Sequence, residues 1–130
     1  MKRVFLSFRA EDRMQVNGLR LLAANPAFDI EFYDESVRTA IDSQNAAYVK
    51  SQIREKIRRA SVTVCLITEH TYTSAWVNWE VETSIEEGNR VILMALPGSP
   101  GMLVIPAAAW SRQIPWHAWD VAALQRLIDA

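Results

Sequence analysis

The chain has 130 residues and a mass of 14.8 kDa, half of the residues being hydrophobic and 22% charged, which marks one folded domain over 1–130 and excludes a disordered chain or one that needs a metal or disulfide staple to fold. Fourteen Lys plus Arg against fifteen Asp plus Glu leave a net charge of −1, so no general attraction draws it to nucleic acid or to an anionic membrane surface. The single cysteine, Cys65, allows no internal disulfide, and no apolar run nears the roughly 18 residues of a membrane span, so a soluble cytoplasmic protein is expected.

Apolar runs and helical patterns alternate along the chain. Val4 to Phe8 is a short continuous apolar run, the mark of a strand buried on both faces. It starts in the manner of a signal peptide, but Arg9, Glu11, Asp12 and Arg13 follow at once. Glu11 and Asp12 place negative charge where a helix begins, and Val16, Leu19, Leu22 and Ala23 continue at helical spacing until Asn25-Pro26 stops it. Phe28 to Tyr33 is a weaker second strand, and Asp34 to Ser43 is a polar loop. Ala46, Val49, Ile53, Ile57 and Ala60 recur by threes and fours, predicting a helix over about 45–60. Val62 to Thr68 is a third strand, dense in β-branched residues, with Cys65 as an inert buried thiol. A helix over about 73–87 closes at Gly88-Asn89. Val91 to Leu96 is a fourth strand, and Pro97 to Gly101 is a loop. Met102 to Pro115 has no clear period and holds room for a fifth edge strand; Val121, Leu124 and Ile128 make a short last helix.

Strand alternating with helix gives a flavodoxin-like three-layer α/β/α fold around a mostly parallel sheet of four to five strands. Ligands of such sheets bind beyond the carboxyl ends of the strands. That rule points to Phe8–Asp12, Tyr33–Ser43, Thr68–Ser74 and the loop after Leu96.

Several chemistries are excluded by what these places hold. The glycines, Gly18, Gly88, Gly98 and Gly101, form no phosphate-cradling pattern. A phosphoacceptor domain needs an acidic pair after strand one, an aspartate after strand three and a lysine after the last strand; Glu11 and Asp12 supply the first, but the lysines are Lys2, Lys50 and Lys56. His70, His117 and one cysteine complete no zinc site, so no metal is expected. The basic run Arg54, Lys56, Arg58, Arg59 is interrupted by Glu55 and crossed by the apolar stripe, as on a solvated helix face.

Two segments carry a signal together: Val4-Phe5-Leu6-Ser7-Phe8-Arg9-Ala10-Glu11-Asp12, and Thr73-Ser74-Ala75-Trp76-Val77-Asn78-Trp79-Glu80, which opens the helix after strand three. Both segments, and their order, resemble TIR domains. The first resembles the family's first box, and Ser-x-Trp-x-x-x-Glu resembles its catalytic-helix motif. Phe32-Tyr33-Asp34 looks like the entry to its BB loop. The resemblance covers roughly residues 2–96 and is greatest to the bacterial TIR-like proteins of the Thoeris antiphage type (ThsB).

The resemblance implies an enzyme that consumes NAD as substrate, with no separate cofactor, and makes a cyclic ADP-ribose-type signal in antiphage defence. It implies Glu80 as catalytic residue and Ser7, Phe8, Arg9, Asp34, Ser36 and Trp76 as substrate-binding residues. It further implies self-association or assembly with other TIR-type domains, and an effector protein reached through the nucleotide signal. The residue chemistry is compatible. Trp76 and Glu80 are four apart, hence on one helical face, with Val77, Val81 and Ile85 on a neighbouring stripe. Nicotinamide leaves as a neutral group from a cationic pyridinium, so no general acid is required, and one carboxylate can stabilise the oxocarbenium-like ribose. If water is excluded, the cation can be captured within the same molecule.

Each assignment has a plainer counterpart. Glu80 can be a solvent-facing helix residue, Trp76, Trp79 and Phe8 core aromatics, Arg9 a surface charge rather than a bidentate partner of a diphosphate, and Asp34 and Ser36 turn formers. The whole chain can correspondingly be a non-catalytic TIR-like interaction module, or a small flavin- or nucleotide-binding protein of flavodoxin type.

Overall fold

The computed structural model describes residues 2–18, 28–32 and 40–130, of which 17–18 and 28–32 are described by their backbone. Five parallel strands form one sheet: β1 (Lys2–Phe8), β2 (Phe28–Phe32), β3 (Val62–Ile67), β4 (Arg90–Ala95) and β5 (Trp116–His117), in the order β2-β1-β3-β4-β5. The helices are α1 (Arg13–Gly18), α2 (Ala46–Arg59), α3 (Ala75–Glu86), α4 (Ala107–Trp110) and α5 (Val121–Asp129). The chain steps one way from β1 to β2 and the other way through β3, β4 and β5, so the switch point lies at the carboxyl ends of β1 and β3, beside each other in register from Val4↔Val62 to Phe8↔Leu66.

Both faces of the sheet are apolar because both are covered. Val4 and Phe8 of β1, Val62, Val64 and Leu66 of β3, and Ile92 and Met94 of β4 alternate onto one face, where Val16 of α1 and Leu124 and Ile128 of α5 bury against them. Their neighbours point the other way. Phe5 meets Val49, Ile53 and Ile57 of α2. Cys65, Ile67, Leu93 and Ala95 meet Val77 and Val81 of α3 and Ala108 and Ala109 of α4. This burial on both faces is what the largely apolar runs dictate.

Local chemistry sets the element ends. A 3-10 turn, Ala10–Asp12, stands where the acidic residues predict the first helix to begin; Leu19, Leu22, Ala23 and Asn25-Pro26 lie outside the described residues. Ser74 caps α3, its Oγ accepting from the Val77 amide at 3.2 Å, and Asp120 caps α5 by accepting from the Ala123 amide at 3.0 Å. Gly88 ends α3 at φ 83°, its amide donating to the Ile85 carbonyl while the Asn89 amide reaches Ser84. The basic run on α2 lies on a solvated face as expected, yet it is not idle. Arg54 Nη1 meets Glu87 Oε1 at 2.9 Å and Arg58 meets the same carboxylate at 3.3 Å, tying α2 to the end of α3.

The fifth strand differs from expectation in place. Residues 102–115 hold the one-turn helix α4, begun at Pro106, and the strand follows at Trp116–His117, pairing with Leu93–Met94. Among the described residues no helix is long and apolar enough to cross a membrane, and no three His, Cys, Asp or Glu side chains gather as a metal site would require.

Candidate functional site

Strand alternation places Ser7 and Phe8 on opposite faces of β1. Phe8 is fully buried in the core under α1 and α5. Expected as a nucleotide contact, it holds the position of a packing residue, because the even-numbered residues of β1 all turn to that face. Ser7 is also fully buried, but on the α2/α3 face, and its hydroxyl donates to Glu80 Oε1 at 2.7 Å. The structure thus joins two residues 73 positions apart that the sequence marks separately.

Glu80 has no exposed surface. It shares the buried side of α3 with Val77, Val81, Thr83 and Ser84. A polar seam continues below it. Ser84 Oγ donates to the Glu80 carbonyl at 2.7 Å, Thr63 Oγ1 donates to Ser84 Oγ at 2.7 Å, and Asn89 Nδ2 reaches Thr63 Oγ1 at 3.3 Å and the Ile57 carbonyl at 3.0 Å. Unsatisfied polar groups in a core are costly, and this chain of donors satisfies Thr63 and Ser84 there. The only signal for it in the sequence is the polar interruption of two apolar strands, Ser7 in β1 and Thr63 in β3.

Cys65 pairs with Ser7 across β1 and β3. Its thiol is buried as expected, and burial first, then the neighbouring Glu80 carboxylate, push its pKa well above the ordinary value, with the side-chain hydrogen bond between Cys65 and Ser7 opposing. The thiol therefore stays protonated.

Trp76 and Trp79 stack edge to face, with ring centroids 5.9 Å apart and planes at 86°. Both are half-buried against the Phe5, Val49, Ile53 and Ile57 cluster, so they are core-facing as well as accessible. Lys50 and Arg54 lie over the Trp79 ring at 5.6 and 5.8 Å.

Three of the four loop positions named by the carboxyl-end rule converge. Arg9 and Asp12 after β1, Thr68 and His70 after β3, and the Pro97–Pro100 turn after β4 line a cleft of about 210 Å³. Arg9 is 19% exposed and pairs with Asp12 Oδ1 at 3.3 Å and Glu11 Oε2 at 3.4 Å, while its Nε is buried with no hydrogen-bond partner among the described residues. Asp12 Oδ2 accepts from Thr68 Oγ1 at 3.2 Å. His70, exposed beside Glu69, stands at the rim of this cleft. Glu80 is not among the residues lining this cleft. Asp34 and Ser36, with Tyr33 and most of the loop to Ser43, lie outside the described residues.

Residues 5–100 match the family described as Thoeris protein ThsB, TIR-like domain. A protein of Bacillus cereus (strain MSX-D12) provisionally named cyclic ADP-D-ribose synthase ThsB1 is 31% identical over 100 residues, or 70% of this chain and 50% of that protein. The chain thus spans about half the length of that curated relative. Among solved structures, a 2-deoxyribosyltransferase of Bacillus psychrosaccharolyticus superposes with a TM-score of 0.66 at 17% identity, covering 95% of this chain and 90% of that one. The CMP N-glycosidase BcmB of Clostridium botulinum gives 0.59 at 14% identity, covering 97% of each chain. The TIR domains of the activated Roq1 resistosome bound to the effector XopQ give 0.54 at 19% identity, over 73% of this chain and 57% of that one. These three share its fold.

Proposed function

The chain belongs to the TIR-like domain family of the Thoeris protein ThsB, and on that premise we propose that it cleaves the nicotinamide–ribose bond of NAD and closes the ADP-ribosyl group into a cyclic ADP-ribose-type signal. The observation that carries the reading is the buried Glu80 carboxylate, held by Ser7 at the carboxyl end of β1, both residues lying within the stretch 5–100 that matches the family. The provisional name of the Bacillus cereus relative supports the same product class.

The reaction asks little of the protein beyond charge and dryness. The bond from ribose C1′ to the pyridinium nitrogen breaks, and its electron pair goes to that nitrogen, so nicotinamide leaves neutral. C1′ is left as an oxocarbenium-like cation. Glu80 stabilises that charge in a low-dielectric setting, where one carboxylate acts more strongly than in water. With water kept out, a nucleophilic atom elsewhere on the same molecule attacks C1′ and closes the ring; water, when admitted, gives linear ADP-ribose instead. Arg9 meets the diphosphate, and Trp76 with the loop residues Asp34 and Ser36 contacts the remainder of the nucleotide. Self-association or pairing with TIR-type domains opens and completes the site around Glu80, and the product acts on a separate effector protein in antiphage defence.

One observation favours a second reading, a non-catalytic TIR-like interaction module: Glu80 has no exposed surface. Thermal shift separates the two, because a ligand bound by the folded state alone stabilises it by mass action. Enzyme predicts a rise in melting temperature with NAD or a non-cleavable analogue in the assembled protein. No shift in either the free or the assembled protein, with no nicotinamide released, establishes the module.

A further inference from the structure

We propose that Ser7 is the positioning residue of this site, its hydroxyl orienting the Glu80 carboxylate rather than touching substrate. The inference rests on the reading of Glu80 as the catalytic carboxylate. Three observations carry it. The Ser7 side chain is fully buried on the α2/α3 face of the sheet, enclosed together with Glu80. Its oxygen lies 2.7 Å from Glu80 Oε1, the spacing of a charge-assisted hydrogen bond. Its backbone is fixed in the middle of the sheet, paired with Cys65 on β3 and near the β1–β2 ladder that ends at Leu6↔Phe32. A glutamate has three side-chain torsions to restrain, and a donor on a rigid strand restrains them better than one on a loop.

The two ends of Glu80 are held separately. Its carboxylate is held by Ser7, while its backbone carbonyl is held by Ser84, itself held by Thr63. Removing the Ser7 hydroxyl deletes a buried hydrogen bond to the Glu80 carboxylate, whereas removing the Ser84 hydroxyl deletes one to the Glu80 backbone and one from Thr63, so of the two Ser7 acts on the reacting group. Ser84 is therefore the internal control for loss of packing or of a buried bond.

The test is steady-state release of nicotinamide from NAD by the assembled chain, with melting temperature, for the parent, Ser7→Ala, Ser7→Thr, Ser84→Ala and Glu80→Gln. Ser7→Ala is expected to lower kcat about ten- to a hundredfold with KM within about twofold, the scale on which misplacing a reacting group acts. Ser7→Thr, which keeps the hydroxyl, is expected to recover most of that loss. Ser84→Ala is expected to lower the melting temperature and leave kcat within about threefold of the parent. A raised KM with unchanged kcat in Ser7→Ala makes Ser7 a substrate contact and overturns the proposal, as does an unchanged kcat. An equal fall of kcat in Ser7→Ala and Ser84→Ala, matched to their melting temperatures, also overturns it. Parent and Glu80→Gln releasing nicotinamide equally, or neither releasing any, fails the functional reading instead. The positioning claim is then read from the Glu80 side-chain carboxyl carbon resonance, which is expected to move in Ser7→Ala and to stay in Ser84→Ala.

Discussion

A catalytic carboxylate buried for function should be a burden on the fold. Glu80 is 0% exposed, and the effective cost of burying an ionised carboxylate is several kcal/mol. The hydrogen bond donated by Ser7 at 2.7 Å returns about 1.5–3 kcal/mol of that, as hydrogen bonds to charged groups do. Glu80→Gln keeps the volume, the helix and an amide oxygen that still accepts from Ser7, removes the charge, and puts an NH2 group in place of the second carboxylate oxygen. The balance predicts a gain of about 1–2 kcal/mol, the stability a protein recovers when a functional charge is neutralised. For a chain of this length that is a rise in melting temperature of roughly 3–8 °C. Differential scanning calorimetry and urea titration at pH 7 measure both quantities on the same samples. A loss of more than about 1 kcal/mol in Glu80→Gln refutes the reasoning, because the carboxylate would then be holding the fold together.

Three smaller tests follow from particular contacts. Ser74→Ala removes the cap of α3, whose Oγ accepts from the Val77 amide, and should cost about 1 kcal/mol in urea titration, as N-cap losses do; an unchanged midpoint contradicts it. Glu87 lies below its ordinary value chiefly because Arg58, then Arg54, hydrogen-bond its charged form, so its folded value is depressed and its contribution is complete above the unfolded value and lost as pH falls through the folded one. The melting temperature of the parent should therefore exceed that of Glu87→Gln at pH 7, begin to approach it only as the pH falls below about 4.5, and converge on it below the depressed folded value, whereas a gap constant with pH removes the ion pairs from the account. Cys65 should resist a thiol reagent in native protein at pH 8 and react fully in urea, since burial keeps it a neutral thiol; native labelling within minutes contradicts that.

The parallel sheet was legible because burial on both faces leaves continuous apolar runs, and β1, β3 and β4 carry them within a residue or two of the observed bounds. The close of α3 was legible because Gly88 has a local chemical reason to stand at a helix end, whereas the caps made by Ser74 and Asp120 rest on hydrogen bonds seen in the folded chain. Residues 102–115 were not. A strand of two residues has no period to read, and a one-turn helix leaves less than one repeat. The site was half legible. The motif segments named Ser7 and Glu80, but their contact depends on the pairing of β1 with β3 and on the depth of α3, which spacing alone does not contain. One further signal stood in the sequence. Glu80 lies three residues from Val77 and four from Ser84, on the helix's buried stripe rather than beside it. Phe8 shows the opposite case, because strand parity sends it to the core although it sits within the first motif segment.

The central claim is that the Glu80 carboxylate stabilises a ribosyl cation. Chromatography of the nucleotides formed when the assembled chain is given NAD tests it most directly, with Glu80→Gln alongside. The account predicts free nicotinamide with a cyclic or linear ADP-ribose product from the parent, and a rate lower by about a hundred- to a thousandfold in the variant, the scale of losing one transition-state electrostatic contact. Equal nicotinamide from both proteins would contradict it.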